Sequence, residues 1–122
     1  MTFTIAMKEF LELCLTELNL EELPKIKWLI TGGIEGEQPT FGRFDIKNKI
    51  ISIEIKNRHP LDIMRTLAHE LVHYKQLLND EIDINSGETG SKIENQANAI
   101  AGIIMRKFNK SHPEVFRLKP IG

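Results

Sequence analysis

The chain has 122 residues, 41% hydrophobic and 27% charged, which fits one globular domain over residues 1–122. Its 16 basic and 17 acidic residues leave a formal net charge of -1, which argues against a large basic surface for nucleic acid. The lone cysteine, Cys14, excludes an internal disulfide, and no apolar run is long enough to span a membrane. With no basic leader at the N-terminus, we expect no signal peptide and a cytoplasmic protein.

The first part of the chain predicts a helix followed by a short strand. Residues 4–20 repeat with a helical period, and residues 26–30 form a strand candidate before a turn or flexible loop over 31–39. Cys14 lies on the apolar side of the helix, where we expect a small core residue. The predicted stripe comprises Ile5, Phe10, Leu11, Cys14, Leu15 and Leu18.

A β-hairpin is predicted next, with strands 41–46 and 50–55 joined by residues 47–49. The second strand alternates isoleucine with polar residues, so we expect one dry and one wet face. The predicted dry face carries Ile51, Ile53 and Ile55, and the wet face carries Ser52, Glu54 and Lys56.

Two further helices complete the chain. Pro60 opens the first, which runs to about residue 78, and a solvated acidic loop covers 79–91. The second runs over about 92–109, with Ser91 as a candidate N-cap paired to Glu94 in a capping box. Residues 111–122 are expected to be irregular. The order predicts an α+β fold: an N-terminal helix, a small three-stranded sheet with a hairpin, and two helices packed on one face of the sheet.

The run His-Glu-Leu-Val-His at 69–73 lies inside the predicted helix 60–78. His69 and His73 are four residues apart, so both imidazoles project from one face and can reach one ion. Glu70 is turned by about 100° from His69 and can lie beside the metal without binding it. This is the zincin arrangement, in which the glutamate polarises a water. A chance match to the bare pattern is expected in roughly one chain in a hundred of this length.

The faces of this helix do not separate a metal site from an ordinary solvated surface. Leu67, Leu71, Tyr74 and Leu78 form an apolar stripe, with Tyr74 expected in the core. Roughly opposite lie Asp62, Thr66, His69, His73 and Gln76, which we interpret as a solvent-open polar face. A catalytic cleft needs such a face, but so does any surface helix.

A third ligand would discriminate, because zinc hydrolases use three protein ligands and a water. Glu94 follows His73 by twenty-one residues, beyond a loop long enough for the next helix to turn back. It lies at the edge of the stripe that we expect to be buried, and Asn98, one turn on, could hold a ligand in place. The capping role would compete for the same carboxylate. The predicted buried stripe comprises Ile93, Ala97, Ile100, Ile104 and Phe108.

Together with Glu-Asn-Gln-Ala-Asn-Ala-Ile-Ala at 94–101, the His-Glu-Leu-Val-His run resembles the gluzincin branch of zinc metallopeptidases. It is most similar to the short ImmA/IrrE-like group and other minimal bacterial or phage-borne peptidases, over residues 50–106. The resemblance implies that His69, His73 and Glu94 bind Zn²⁺ and that Glu70 is the general base. It also fits a phage-encoded origin. Gln96 departs from the group, which often has an acid there, and no DNA-binding or sensor domain is recognised beside the motifs.

His112 is a rival third ligand, or alternatively a transition-state donor. Its surroundings, 111–116, resemble the His-Gly-x-x-Phe element of SprT-like proteases, which act on DNA-bound proteins, although proline replaces glycine. Five cations in the last seventeen residues keep a nucleic-acid contact open as an alternative: Arg106, Lys107, Lys110, Arg117 and Lys119.

The predicted function is zinc-dependent hydrolysis of peptide bonds, with a protein or peptide substrate and no membrane partner. Glu70 would take a proton from the attacking water and return it to the leaving amine. We expect strand 50–55 to pair with an extended substrate by edge addition. The alternatives are an SprT-like protease, a non-catalytic zinc-binding interaction module, and hydrolysis of another type of bond.

Overall fold

The computed structural model describes residues 1–30, 41–82 and 91–121. The predicted loop over 31–39 lies outside these ranges. Most of the predicted acidic loop over 79–91, namely residues 83–90, also lies outside them. The elements are α1 (Phe3–Glu17), β1 (Lys25–Leu29), β2 (Gly42–Asp45), β3 (Ile50–Glu54), α2 (Pro60–Leu78), α3 (Ser91–Ser111) and a 3-10 helix (Pro113–Arg117). The α+β prediction is confirmed, because one helix, three strands and two helices follow in the expected order.

Local capping explains where two of the helices begin. The Thr2 hydroxyl accepts a hydrogen bond from the Ile5 amide at the start of α1. At the start of α2, Nδ1 of His59 accepts from the Leu61 amide, and Pro60 occupies the first turn. His59 is therefore the N-cap of α2.

The buried face of α1 differs from the predicted stripe at one position. Ile5 is 51% exposed, while Ala6, Phe10 and Cys14 are fully buried. Residues spaced by four lie almost in line along a helix, and the face centred on Ala6, Phe10 and Cys14 turns Ile5 to the side. The prediction for Cys14 is confirmed. Its burial, with Glu17 nearby as a second cause, raises the pKa of the thiol to about 12.

The hairpin is confirmed, since β2 pairs antiparallel with β3. Its turn is held by Asp45, whose carboxylate accepts from the amide and side chain of Asn48. β1 pairs with the other side of β3 in a parallel register, so the strand order is β1-β3-β2.

Two predictions for β3 are wrong. The strand lies in the centre of the sheet, so both of its edges are occupied and it cannot receive a substrate by edge addition. Glu54, expected on a wet face, is only 2% exposed, so the predicted wet face of β3 is closed to solvent at this position. The amide of Glu54 donates to the Phe41 carbonyl, and its own carbonyl accepts from Arg58.

One hydrophobic core joins the sheet to the helices. α2 packs against β2 and β3 on one side and against α3 on another. Phe10 meets Phe108 edge to face, with ring centroids 5.2 Å apart, and Tyr74 meets Phe44 in the same way. Tyr74 is thus a core residue, as predicted. Leu78 is exposed instead of closing the apolar stripe.

The chain after α3 is more ordered than predicted. The irregular tail contains the 3-10 helix, whose Val115 is fully buried. Ile121 then pairs with Arg58 in an antiparallel bridge. None of the helices in the described residues combines the length and apolar character needed to cross a bilayer.

Candidate metal centre

Three side chains converge where α2 and α3 pack together. His69 and His73 face each other across one turn of α2, with their Nε2 atoms 3.1 Å apart. Glu94, in the first turn of α3, places Oε2 at 3.1 Å from Nε2 of His69 and Oε1 at 3.1 Å from Nε2 of His73. Glu94 on α3 therefore contacts both histidines of α2.

The spacing of these atoms fits a transition metal. Two ligands of a tetrahedral zinc ion, each about 2.0–2.1 Å from it, lie roughly 3.3 Å apart, close to the 3.1 Å separations found here. Two imidazoles and a carboxylate are also a ligand set that zinc hydrolases use. Within the described parts of the chain, no other group of three or more histidine, cysteine or acidic side chains converges in this way.

Glu70 lies beside this cluster. It is only 8% exposed, and burial, followed by the charge of Glu94, raises the pKa of its carboxyl to about 7. A carboxyl of this kind can both accept and return a proton near neutrality. Burial and then the neighbouring His73 lower the pKa of His69, which favours the neutral imidazole that a metal requires.

A strand passes directly over Glu70. An added Cβ on Gly42 of β2 would overlap Cγ2 of Thr66 and lie 3.4 Å from Cγ of Glu70. The absence of a side chain at Gly42 therefore lets β2 approach α2 closely at Glu70.

His69 of the cluster and the neighbouring Glu70 line a cleft of about 320 Å³. Its lining includes Asn98, which forms a side-chain hydrogen bond with His69, so the two residues are neighbours as the sequence indicated. The cleft is lined by Phe41, Gly42, Arg65, Thr66, His69, Glu70 and Asn98.

The prediction for Gln76 is wrong. Predicted on a solvent-open face, it is 1% exposed, and His73 beside it is 6% exposed. Oε1 of Gln76 lies 2.7 Å from Nδ1 of His73, and its amide nitrogen donates to the Ile93 carbonyl and the Gln96 side chain. α3 covers this part of α2. The spacing of three from His73 was the available signal, because such residues are neighbours on a helix.

His112 is not brought to the cluster. Its Nε2 lies 2.7 Å from Oε2 of Glu9, and its ring stacks on Phe108 with centroids 4.4 Å apart. The C-terminal end of α3, where His112 follows, is roughly 25 Å along the helix axis from Glu94. Both carboxylate oxygens of Glu94 contact imidazoles, and the capping box predicted between Ser91 and Glu94 stays a prediction. The side chain of Ser91 lies outside the described part.

Comparison with known proteins does not identify a family. No family model matches the chain, and no curated protein is similar to it in sequence. The resemblance to gluzincins therefore rests on the two short motifs at 69–73 and 94–101.

Proposed function

We propose that this protein is a zinc-dependent hydrolase that cleaves peptide bonds. The observation that carries the proposal is the convergence of His69, His73 and Glu94, with the donor atoms of each pair 3.1 Å apart. Glu70 beside them, buried and with a pKa of about 7, supplies the acid–base group that such a hydrolase needs.

Each candidate site residue would have its own role in the proposed reaction. His69, His73 and Glu94 would hold the ion, which supplies a Lewis acid that polarises a carbonyl and acidifies water. Glu70 accepts the proton of the attacking water and returns it to the leaving amine. Asn98 restrains the His69 ring through its hydrogen bond.

The shape of the cleft favours an extended substrate. It shares Phe41, Arg65 and Thr66 with a second depression that continues to Lys56 and Arg58. A groove of this kind, running from the candidate ligands along α2, suits a polypeptide better than a compact small molecule. No edge of β3 contributes, since its edges are paired.

Two of the three alternatives, the SprT-like protease and the non-catalytic zinc-binding module, depended in part on His112. A closed zinc-binding module needs a fourth protein ligand, and an SprT-like site was expected to use this histidine. The contacts of His112 with Glu9 and Phe108 favour neither, so the open three-ligand hydrolase remains our proposal.

The test is the metal content of the purified protein beside that of Glu94→Ala. We expect about one zinc per wild-type chain and a large loss in the variant, measured by elemental analysis after dialysis. Glu22→Ala, which removes an exposed carboxylate, is the matched control and should retain zinc. Stoichiometric zinc in Glu94→Ala would remove Glu94 from the site, and no zinc in the wild type would overturn the proposal.

A further inference from the structure

We propose that Gln76 is a positioning residue that sets the tautomer of His73. Its buried amide would hold the proton of the imidazole on Nδ1 and leave the lone pair of Nε2 directed at His69 and Glu94. This inference rests on the proposed zinc site, because its second test measures zinc affinity. Its first measurement uses the metal-free protein and is independent of that proposal.

The orientation of the Gln76 amide follows from its partners. The backbone carbonyl of Ile93 can only accept a hydrogen bond, so the atom 3.2 Å from it must be the amide nitrogen of Gln76. The carbonyl oxygen Oε1 must then face His73, at 2.7 Å from Nδ1. Two acceptors cannot share this contact, so Nδ1 carries the proton.

Both N–H groups and the carbonyl oxygen of the Gln76 amide have hydrogen-bonding partners in the interior. One N–H reaches Ile93, the other reaches Oε1 of Gln96 at 2.7 Å, and Oε1 receives the proton of His73. Rotation of the amide by 180° would place an N–H against the N–H of His73 and leave the Ile93 carbonyl facing an oxygen. Because an unsatisfied buried polar group is costly, the observed orientation is strongly preferred.

The bond to Ile93 also links two candidate ligands. Ile93 precedes Glu94 in the first turn of α3, so Gln76 ties the segment that presents Glu94 to the helix that presents His73. With the proton on Nδ1, neutral His73 presents only a lone pair to Oε1 of Glu94, 3.1 Å away. Two acceptors at this distance repel each other unless a proton or a metal ion lies between them, and in the proposed site the metal ion takes this position.

The first test observes the tautomer directly. In metal-free wild type, held with chelator at about pH 8, above the usual imidazole pKa, two-bond nitrogen–proton NMR correlations report which ring nitrogen of His73 is protonated. We expect the Nδ1-H form. A predominant Nε2-H form in the folded wild type would overturn the proposal without any substitution.

The second test separates the tautomer from simple anchoring of α3. Gln76→Met keeps the length of the side chain but neither accepts from His73 nor donates to α3. Gln96→Ala loses only the outer hydrogen bond and is the matched control. We expect Gln76→Met to shift His73 toward the Nε2-H form and to weaken zinc binding roughly 10–100-fold by chelator competition, with Gln96→Ala close to wild type in both measurements.

The outcomes also separate this inference from the proposed function. An equal loss of affinity in both variants, or an unchanged tautomer in Gln76→Met, would assign Gln76 to helix packing alone and overturn the inference. A wild type that binds no zinc would overturn the proposed function, while the tautomer of the metal-free protein would still decide the role of Gln76. Circular dichroism on each variant establishes that the compared proteins are folded.

Discussion

Gly42 on β2 lies directly against Glu70 on α2, so that even a methyl group at position 42 would come within 3.4 Å of the Glu70 side chain and overlap that of Thr66. The side chain of Thr66 cannot easily move away from an added Cβ at position 42. It is β-branched, and its hydroxyl donates to the Asp62 carbonyl and accepts from Arg58. This contact ties the position of the candidate general base to the edge of the sheet.

Gly42→Ala should therefore destabilise the protein. Overpacking of this kind costs about 1–3 kcal/mol, measurable by urea unfolding, and any peptidase activity should fall as Glu70 is displaced. Gly102→Ala is the matched control. A Cβ there would meet only the Arg106 guanidinium at 3.6 Å, and the change adds helix propensity, so it should stabilise α3 by up to about 1 kcal/mol. Equal effects of the two substitutions would contradict the close approach at Gly42.

Glu70→Gln should abolish proton transfer while preserving shape. We expect cleavage of an unstructured protein to fall about 10²–10⁴-fold with zinc still bound, measured by gel-based proteolysis and elemental analysis on the same preparation. Glu12→Gln, an exposed change on α1, should have wild-type activity. If cleavage survives in Glu70→Gln, Glu70 is not the base.

His112→Ala should leave the metal site intact, because the ring contacts Glu9 and Phe108 at the far end of α3. Zinc affinity is expected within about twofold of wild type, given how metal affinity follows from the ligands and their direct partners. His73→Ala provides the comparison and should lose the ion. Loss of stoichiometric zinc in His112→Ala would instead support the SprT-like arrangement.

Cys14 should be unreactive in the folded protein. Its pKa is raised to about 12 by burial, so almost no thiolate forms at pH 9, and alkylation should require unfolding. In the unfolded chain the thiol ionises near its ordinary pKa of about 8.5. The folded-state pKa is the higher one, so stability is fully present below about pH 8.5 and is lost as the pH rises toward the folded value.

The same shift predicts how the wild type compares with Cys14→Ala. Above about pH 8.5 the free energy of unfolding of the wild type should fall relative to the variant by up to about 1.4 kcal/mol per pH unit. Urea titrations at several pH values measure the difference. A constant difference between the two proteins, or rapid alkylation of the native wild type, would contradict the burial of Cys14.

Much of the fold and part of the site depend on short-range patterns. Apolar spacing predicted the three helices, and alternation predicted the hairpin of β2 and β3, because side-chain direction follows from the local backbone period. The spacing of His69, Glu70 and His73 on one turn of helix needed nothing beyond that period. The capping role of His59 and the 3-10 helix after α3 were not predicted, because neither has a periodic sequence pattern.

The tertiary structure alone determined the relationships between distant segments. Pairing of β1 with β3 made β3 central and removed the predicted substrate edge. Packing of α3 on α2 brought Glu94 to the histidines and buried Gln76, which the pattern of α2 had placed in solvent. The physical reason is that a period determines which residues share a face, whereas the burial of that face depends on which other segment packs against it.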